Sequence, residues 1–112
     1  YVYADWLHAP GAPTLLVYGH HDVVPPGVTG KWMNPPFAPV VRKGRLYGRG
    51  TAYDKGGFMA WLAAASAYLG TAGALPVNLK LLIEGEEEVG SVHLADFLKA
   101  HRSKLDADKG DC

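Results

Sequence analysis

The sequence has almost no cysteine: Cys112, the last residue, is alone. It cannot form an internal disulfide, and a cysteine-based zinc cluster is excluded; this fits a reducing, cytoplasmic setting or indifference to redox state. An excess of charge of either sign is also missing, because 11 Lys and Arg balance 11 Asp and Glu. With no electrostatic footprint, neither a nucleic acid nor an anionic membrane is an expected partner. Long apolar runs are absent too. The longest, Phe58 to Leu69, is too short to span a bilayer. No secretory leader is visible. Nucleotide-binding glycine patterns are lacking as well, since the glycine-rich stretch Gly48 to Gly57 fits neither the P-loop nor the dinucleotide spacing.

What remains is an ordinary globular composition in 112 residues, enough for one small core or part of a larger one. The chain starts at Tyr1 without methionine and ends in a polar stretch, Asp106 to Cys112, so a piece of a longer protein is expected. Thr14 to Tyr18 is β-branched and aromatic and reads as a buried strand ending at Gly19. A proline-rich loop covers 25–39. Val40-Val41 and Leu46-Tyr47 flank Arg42-Lys43-Gly44-Arg45 as a small hairpin. From Asp54 or Lys55 the pattern predicts a helix that buries Phe58, Met59, Trp61, Leu62, Ala65 and Leu69 and stops at Gly70. A second strand is predicted over 76–83. Ser91 then reads as the N-cap of a helix to about Lys99, with Val92, Leu94, Ala95 and Leu98 inward. Strands separated by a helix predict an α/β layer with at least one parallel pair.

Three segments carry residues suited to chemistry. His20 and Asp22 lie two apart at the end of the first strand, where ligands collect in open α/β sheets. A histidine there can bind a metal while a carboxylate fixes its tautomer; the same pair can also be plain solvated loop. After the second strand, Glu84, Glu86, Glu87 and Glu88 crowd four carboxylates into five residues. They form either an exposed acidic loop or, if the two strands are neighbours, a site converging with His20 and suited to a divalent ion such as zinc. The third segment is the glycine-rich turn with Asp54 near a helix N-terminus, where negative charge is favourable in any case.

Taken in order, Gly19-His20-His21-Asp22-Val23-Val24-Pro25, Pro36-Phe37, Leu46-Tyr47-Gly48-Arg49-Gly50, Asp54-Lys55-Gly56 and Glu84 to Ser91 resemble the zinc metallopeptidase family of carnosinase-type dipeptidases, aminoacylase, succinyl-diaminopimelate desuccinylase and glutamate carboxypeptidase. The resemblance runs from about Tyr3 to His101. It implies an α/β fold, here a fragment of a three-layer α/β/α catalytic domain with a mixed, largely parallel sheet. Residues 1–112 would be a partial catalytic domain, without the remaining catalytic half or the lid and dimerisation domain. The resemblance also implies hydrolysis of a dipeptide or N-acyl amino acid amide bond by the parent enzyme, leaning to the dipeptidase branch, and it admits a homodimeric parent.

By the same resemblance His20 and Glu88 are metal ligands, Asp22 orients His20, and Glu87 is the general base. Family members hold two zinc ions. Here the position matching the metal-bridging aspartate is Tyr53, a neutral phenol, so one ion or none is expected. Two alternatives follow: Tyr53 prevents a two-zinc site, or the backbone shifts and Asp54 serves instead. A catalytically dead relative kept for binding or assembly is the competing reading. His93 and His101 lie at the ends of the last helix and are expected to be surface residues, and Arg49 is expected to hydrogen-bond loop carbonyls.

Overall fold

The computed structural model describes residues 1–111, so the reading of Cys112 falls outside the described residues. The strands are β1 Val2–Trp6, β2 Thr14–His20, β3 Val40–Arg42, β4 Arg45–Tyr47, β5 Asn78–Glu84 and β6 Lys109–Asp111. The helices are α1 Lys55–Ala72, α2 Leu94–Ala100 and α3 Arg102–Leu105. Four strands form one sheet in the order β1-β5-β2-β6. β2 is parallel to both β5 and β6, and only β1 runs antiparallel. The mixed, largely parallel sheet is therefore as expected; β1 and β6 are additions that the sequence reading did not contain.

The register of the central pair is set at its lower end by Asn78. Its side chain donates to the carbonyls of Ala9 and Ala12 and accepts the Ala9 N–H, which fixes Thr14 opposite Asn78. Every later pair follows, ending with His20 opposite Glu84. Alternate residues then sort to the two faces. Val17, Leu79 and Leu81 gather with Leu75 into the core, against which Leu15, Trp6, Trp61 and Ala65 pack. On the other face the Lys80 Nζ donates to the Asp106 carbonyl and the Tyr3 hydroxyl to that of Lys104, holding the chain after α2 against the sheet.

Gly19 does not end β2, which continues through His20. A side chain at Gly19 is what the fold cannot accept: a Cβ there would lie 2.8 Å from Asp54 Oδ2 and 3.1 Å from the Phe58 Cβ. The glycine thus lets the start of α1 lie directly on the strand. Gly19→Ala should push that end of α1 away and cost about 1–3 kcal/mol of stability, read as a lower denaturant midpoint; an unchanged midpoint would show that the contact has slack.

Gly70 likewise does not stop α1. The helix runs to Ala72 and ends at Gly73, whose φ of 71° is the left-handed cap and whose N–H reaches the Leu69 carbonyl at 3.1 Å. Phe58, Trp61 and Ala65, spaced three and four apart, are half-buried toward the sheet, whereas Met59, Leu62 and Leu69 are exposed, contrary to expectation. One stripe of a helix can rest on a sheet, and Met59, Leu62 and Leu69 lie outside that stripe. The hairpin is as predicted, with Lys43 and Gly44 both at positive φ (49° and 73°), the two-residue turn that matches strand twist. Phe37 is exposed. Trp32 is partly buried, donates to the Pro26 carbonyl and carries the Arg49 guanidinium over its ring. Arg49 also reaches the Pro25 carbonyl, a structural contact of the kind expected of it.

The extents of 53 × 38 × 16 Å describe a slab. Its radius of gyration of 16.6 Å exceeds the about 13 Å typical of a compact domain of similar length. No helix among the described residues is long and apolar enough to cross a membrane.

Candidate metal centre at the carboxyl edge of the sheet

Because β2 and β5 are parallel neighbours, the loops after them open at the same edge. One further backbone bond, from the His21 N–H to the Glu84 carbonyl (2.8 Å), joins the strands before the chains part. His20 is 3% exposed. Its Nδ1 lies 3.2 Å from Asp22 Oδ1 and 3.1 Å from the Asp22 carbonyl. The other oxygen of Asp22 accepts the Glu88 N–H at 2.9 Å, so one carboxylate fixes the histidine ring and the second loop together. Burial pushes the Asp22 carboxyl up, but the backbone N–H bonds, that of Glu88 foremost, and the His20 ring outweigh it and hold it below the usual value.

The second loop begins with a short 3-10 turn, Glu87–Val89, capped by Gly90 at a φ of 94°. It turns Glu87 and Glu88 toward His20. One ligand-capable atom from each of His20, Glu87 and Glu88 falls within 4.8 Å of the others, and His20 Nε2 lies 3.7 Å from Glu87 Oε2. The remaining carboxylates of the run point elsewhere, which relieves the repulsion the sequence implies. Glu86 pairs with His93 Nδ1 at 2.9 Å, and that hydrogen bond lowers its pKa. Glu84 is fully buried, accepting from Tyr18 and Ser91. Ser91 is thus no helix cap: α2 begins only at Leu94, after His93. Leu94 is half-buried, while Val92, Ala95 and Leu98 are exposed rather than inward. His93 and His101 stand at the two ends of α2, outside the cluster.

Two residues important to this geometry were not singled out for it in the sequence. Asp54 Oδ2 accepts the His20 backbone N–H at 3.0 Å, and Lys55 Nζ donates to the His21 carbonyl at 2.6 Å. Consecutive residues at the start of α1 therefore grip both sides of the strand end that carries His20. The sequence signals were their place beside a tight glycine turn and the Asp54-Lys55-Gly56 match to the family pattern, neither of which implies this grip. Tyr53 stands against the cluster, its ring edge-on to His20 at 4.7 Å and its hydroxyl 3.4 Å from Glu87 Oε1. The negative charge of Glu87 raises its phenol pKa above the ordinary value.

The donor set fits a divalent cation. His20 Nε2 is buried without a hydrogen-bond partner, and it faces two carboxylates. A lone pair left unpaired in that position is costly unless something electron-poor meets it. Imidazole with carboxylates and no thiolate suits zinc or a related ion.

The model of peptidase family M20/M25/M40 matches residues 16–110. The chain belongs to this family. Among curated relatives it is 40% identical to the Cys-Gly metallodipeptidase dug1 of Schizosaccharomyces pombe, over 99% of this chain and 23% of that protein. It is 41% identical to succinyl-diaminopimelate desuccinylase of Xanthomonas campestris, over 92% of this chain and 26% of that protein. Among solved structures it superposes on the M20 metallo-carboxypeptidase Sso-CP2 of Sulfolobus solfataricus with a TM-score of 0.88 at 41% identity, covering 96% of this chain and 24% of that one. The fold is thus that of M20 catalytic domains, and the chain spans about a quarter of the length of the relatives it matches. Identity to a dipeptidase, a desuccinylase and a carboxypeptidase is the same within a percentage point, so identity does not choose among their substrates.

Proposed function

We propose that the chain forms part of the active site of a zinc-dependent hydrolase that cleaves the amide bond of a dipeptide or N-acyl amino acid, and that the 112 residues alone turn over no substrate. The observation that carries this reading is the buried, unpartnered Nε2 of His20 facing Glu87 and Glu88. In it His20 and Glu88 hold the metal, Asp22 orients His20, and Glu87 is the general base. A bound zinc ion would supply Lewis-acid polarisation and an acidified water.

The chain's own residues do the rest. Asp22 keeps the imidazole proton on Nδ1, so that Nε2 presents its lone pair. Asp54 and Lys55 hold the backbone beneath it. Glu87, half-buried and within reach of the cluster, takes the proton from the attacking water and returns it to the leaving nitrogen. Inactivity of the chain alone follows from its donors: with Glu87 kept as the base, His20 and Glu88 fall short of the three protein ligands usual for a catalytic zinc.

Tyr53 favours a second reading, a catalytically dead family member kept for binding or assembly. Its uncharged ring stands beside His20, where the family resemblance calls for a bridging carboxylate. Elemental analysis of the longer parent protein after dialysis separates the two. One zinc per chain is expected. Two would mean that Tyr53 is no obstacle, and none in a folded protein would end the hydrolase reading and leave binding or assembly.

A further inference from the structure

We infer that Glu84 is a positioning residue whose buried carboxylate, braced by Tyr18, clasps Ser91 and so closes the loop that presents Glu87 and Glu88. This rests on the metal-site reading above only for what the loop presents. Glu84 ends a strand otherwise built of Leu81, Leu82 and Ile83 and has no solvent exposure. A carboxylate in such a place is expensive, and an apolar residue would cost less. What it gains is local. The hydroxyls of Tyr18 and Ser91 both donate to Oε1, the latter at 2.8 Å, while Oε2 has no partner among the described residues. Burial and the bond to Glu84 push the Tyr18 phenol above its ordinary pKa, so it remains a donor.

The geometry makes Glu84 and Ser91 the two posts of one gate. Glu84 is the last residue of β5, and Ser91 is where the loop returns. The Ser91 N–H bonds the Glu86 carbonyl at 2.8 Å, and its φ of 50° is left-handed, a conformation that is unfavourable for a non-glycine residue. The hydroxyl bond to Glu84 offsets that cost, and a residue lacking a hydroxyl would not. Tyr18 sits two residues before His20 on the same face of β2, so the clasp ties the metal-facing loop to the strand that carries the histidine. Loop, strand and ligand are thereby held in one frame at both ends, by Glu84 at the base and by Asp22 at Glu88.

The test compares Ser91→Ala, Tyr18→Phe, Glu84→Ala and Glu84→Gln in the parent protein, by amide hydrogen exchange of residues 86–90 without metal and by zinc affinity against a chelating dye. Loss of a hydrogen bond to the buried Glu84 should speed loop exchange, lower the unfolding midpoint and weaken zinc by about tenfold or more in Ser91→Ala. Tyr18→Phe, which removes only a hydroxyl, should act in the same direction. Glu84→Gln keeps an oxygen for both hydroxyls and should recover most of what Glu84→Ala loses. Unchanged loop exchange in both Ser91→Ala and Tyr18→Phe, or a Gln variant as impaired as the Ala variant, would overturn the clasp. A wild-type parent that binds no zinc, with the loop still loosened by Ser91→Ala, would sink the metal reading and leave the clasp standing.

Discussion

An aspartate placed at position 53 should raise the zinc content of the parent protein from one ion per chain to two. Two divalent cations in one small site repel each other about four times as strongly as two unit charges at the same distance, and a carboxylate between them offsets that repulsion. A phenol, with a reference pKa of about 10, brings no charge at neutral pH. Tyr53 also fills space, with its ring edge-on to His20 and its hydroxyl near Glu87. Tyr53→Asp removes the bulk and adds the charge at the position where the family resemblance expects both. Tyr53→Phe, which removes only the hydroxyl, should leave the zinc count unchanged. Asp54 lies outside the His20, Glu87 and Glu88 group, and its Oδ2 accepts the His20 backbone N–H, which favours a supporting role over that of a substitute ligand. Asp54→Ala should therefore weaken zinc by loosening His20, with the stoichiometry kept at saturating metal. A Tyr53→Asp protein that still holds one ion, as measured by elemental analysis, would remove the tyrosine from the explanation.

The second large effect is expected at Asp22, where zinc affinity should fall about 10–100-fold on substitution by alanine. This carboxylate holds His20 Nδ1 with one oxygen and the Glu88 N–H with the other. Alanine releases both. Asparagine is instructive because it is nearly the same shape. If its oxygen keeps the Glu88 N–H, its amide NH2 faces Nδ1, and the imidazole proton is driven to Nε2, where it blocks the metal. Asparagine should therefore weaken binding almost as much as alanine while leaving the fold intact. Chelator competition with circular dichroism alongside checks both halves; zinc affinity in Asp22→Asn equal to wild type would mean that the tautomer is set elsewhere, by the Asp22 carbonyl that also approaches Nδ1.

How far the sequence could be read depended on whether the signal was local. β2 and β5 carry their own β-branched and aliphatic content, and their parallel pairing follows from the helix between them, so the meeting of His20 with the glutamate run was legible. The end of β2 was not. Gly19 looks like punctuation, yet its missing side chain makes room for Asp54 and Phe58, residues more than thirty positions away. Gly70 and Gly73 offer equal stop signals, and only the latter adopts positive φ. Ser91 has the chemistry of a helix cap, but a buried carboxylate competes for its hydroxyl. β6 consists of Lys-Gly-Asp, with no strand preference of its own; backbone pairing to Leu15, Leu16 and Val17 makes it a strand. The family resemblance named His20, Asp22, Glu87 and Glu88. It did not supply the grip of Asp54 and Lys55 on the backbone, which needs coordinates.

The pairing of His20 with Glu84 at the last rung of β2 and β5 also bears on how the sheet is proofread. A slip of one residue between these strands would carry His20 about 3.3 Å along the ladder and turn its ring to the opposite face. The imidazole and the two glutamates would then no longer converge, and an ion could not be held between them. Any ion that binds only the correct alignment stabilises it by mass action. Zinc in the surrounding solution would thus act as an inspector of strand alignment, rewarding one of several otherwise similar pairings of two aliphatic strands.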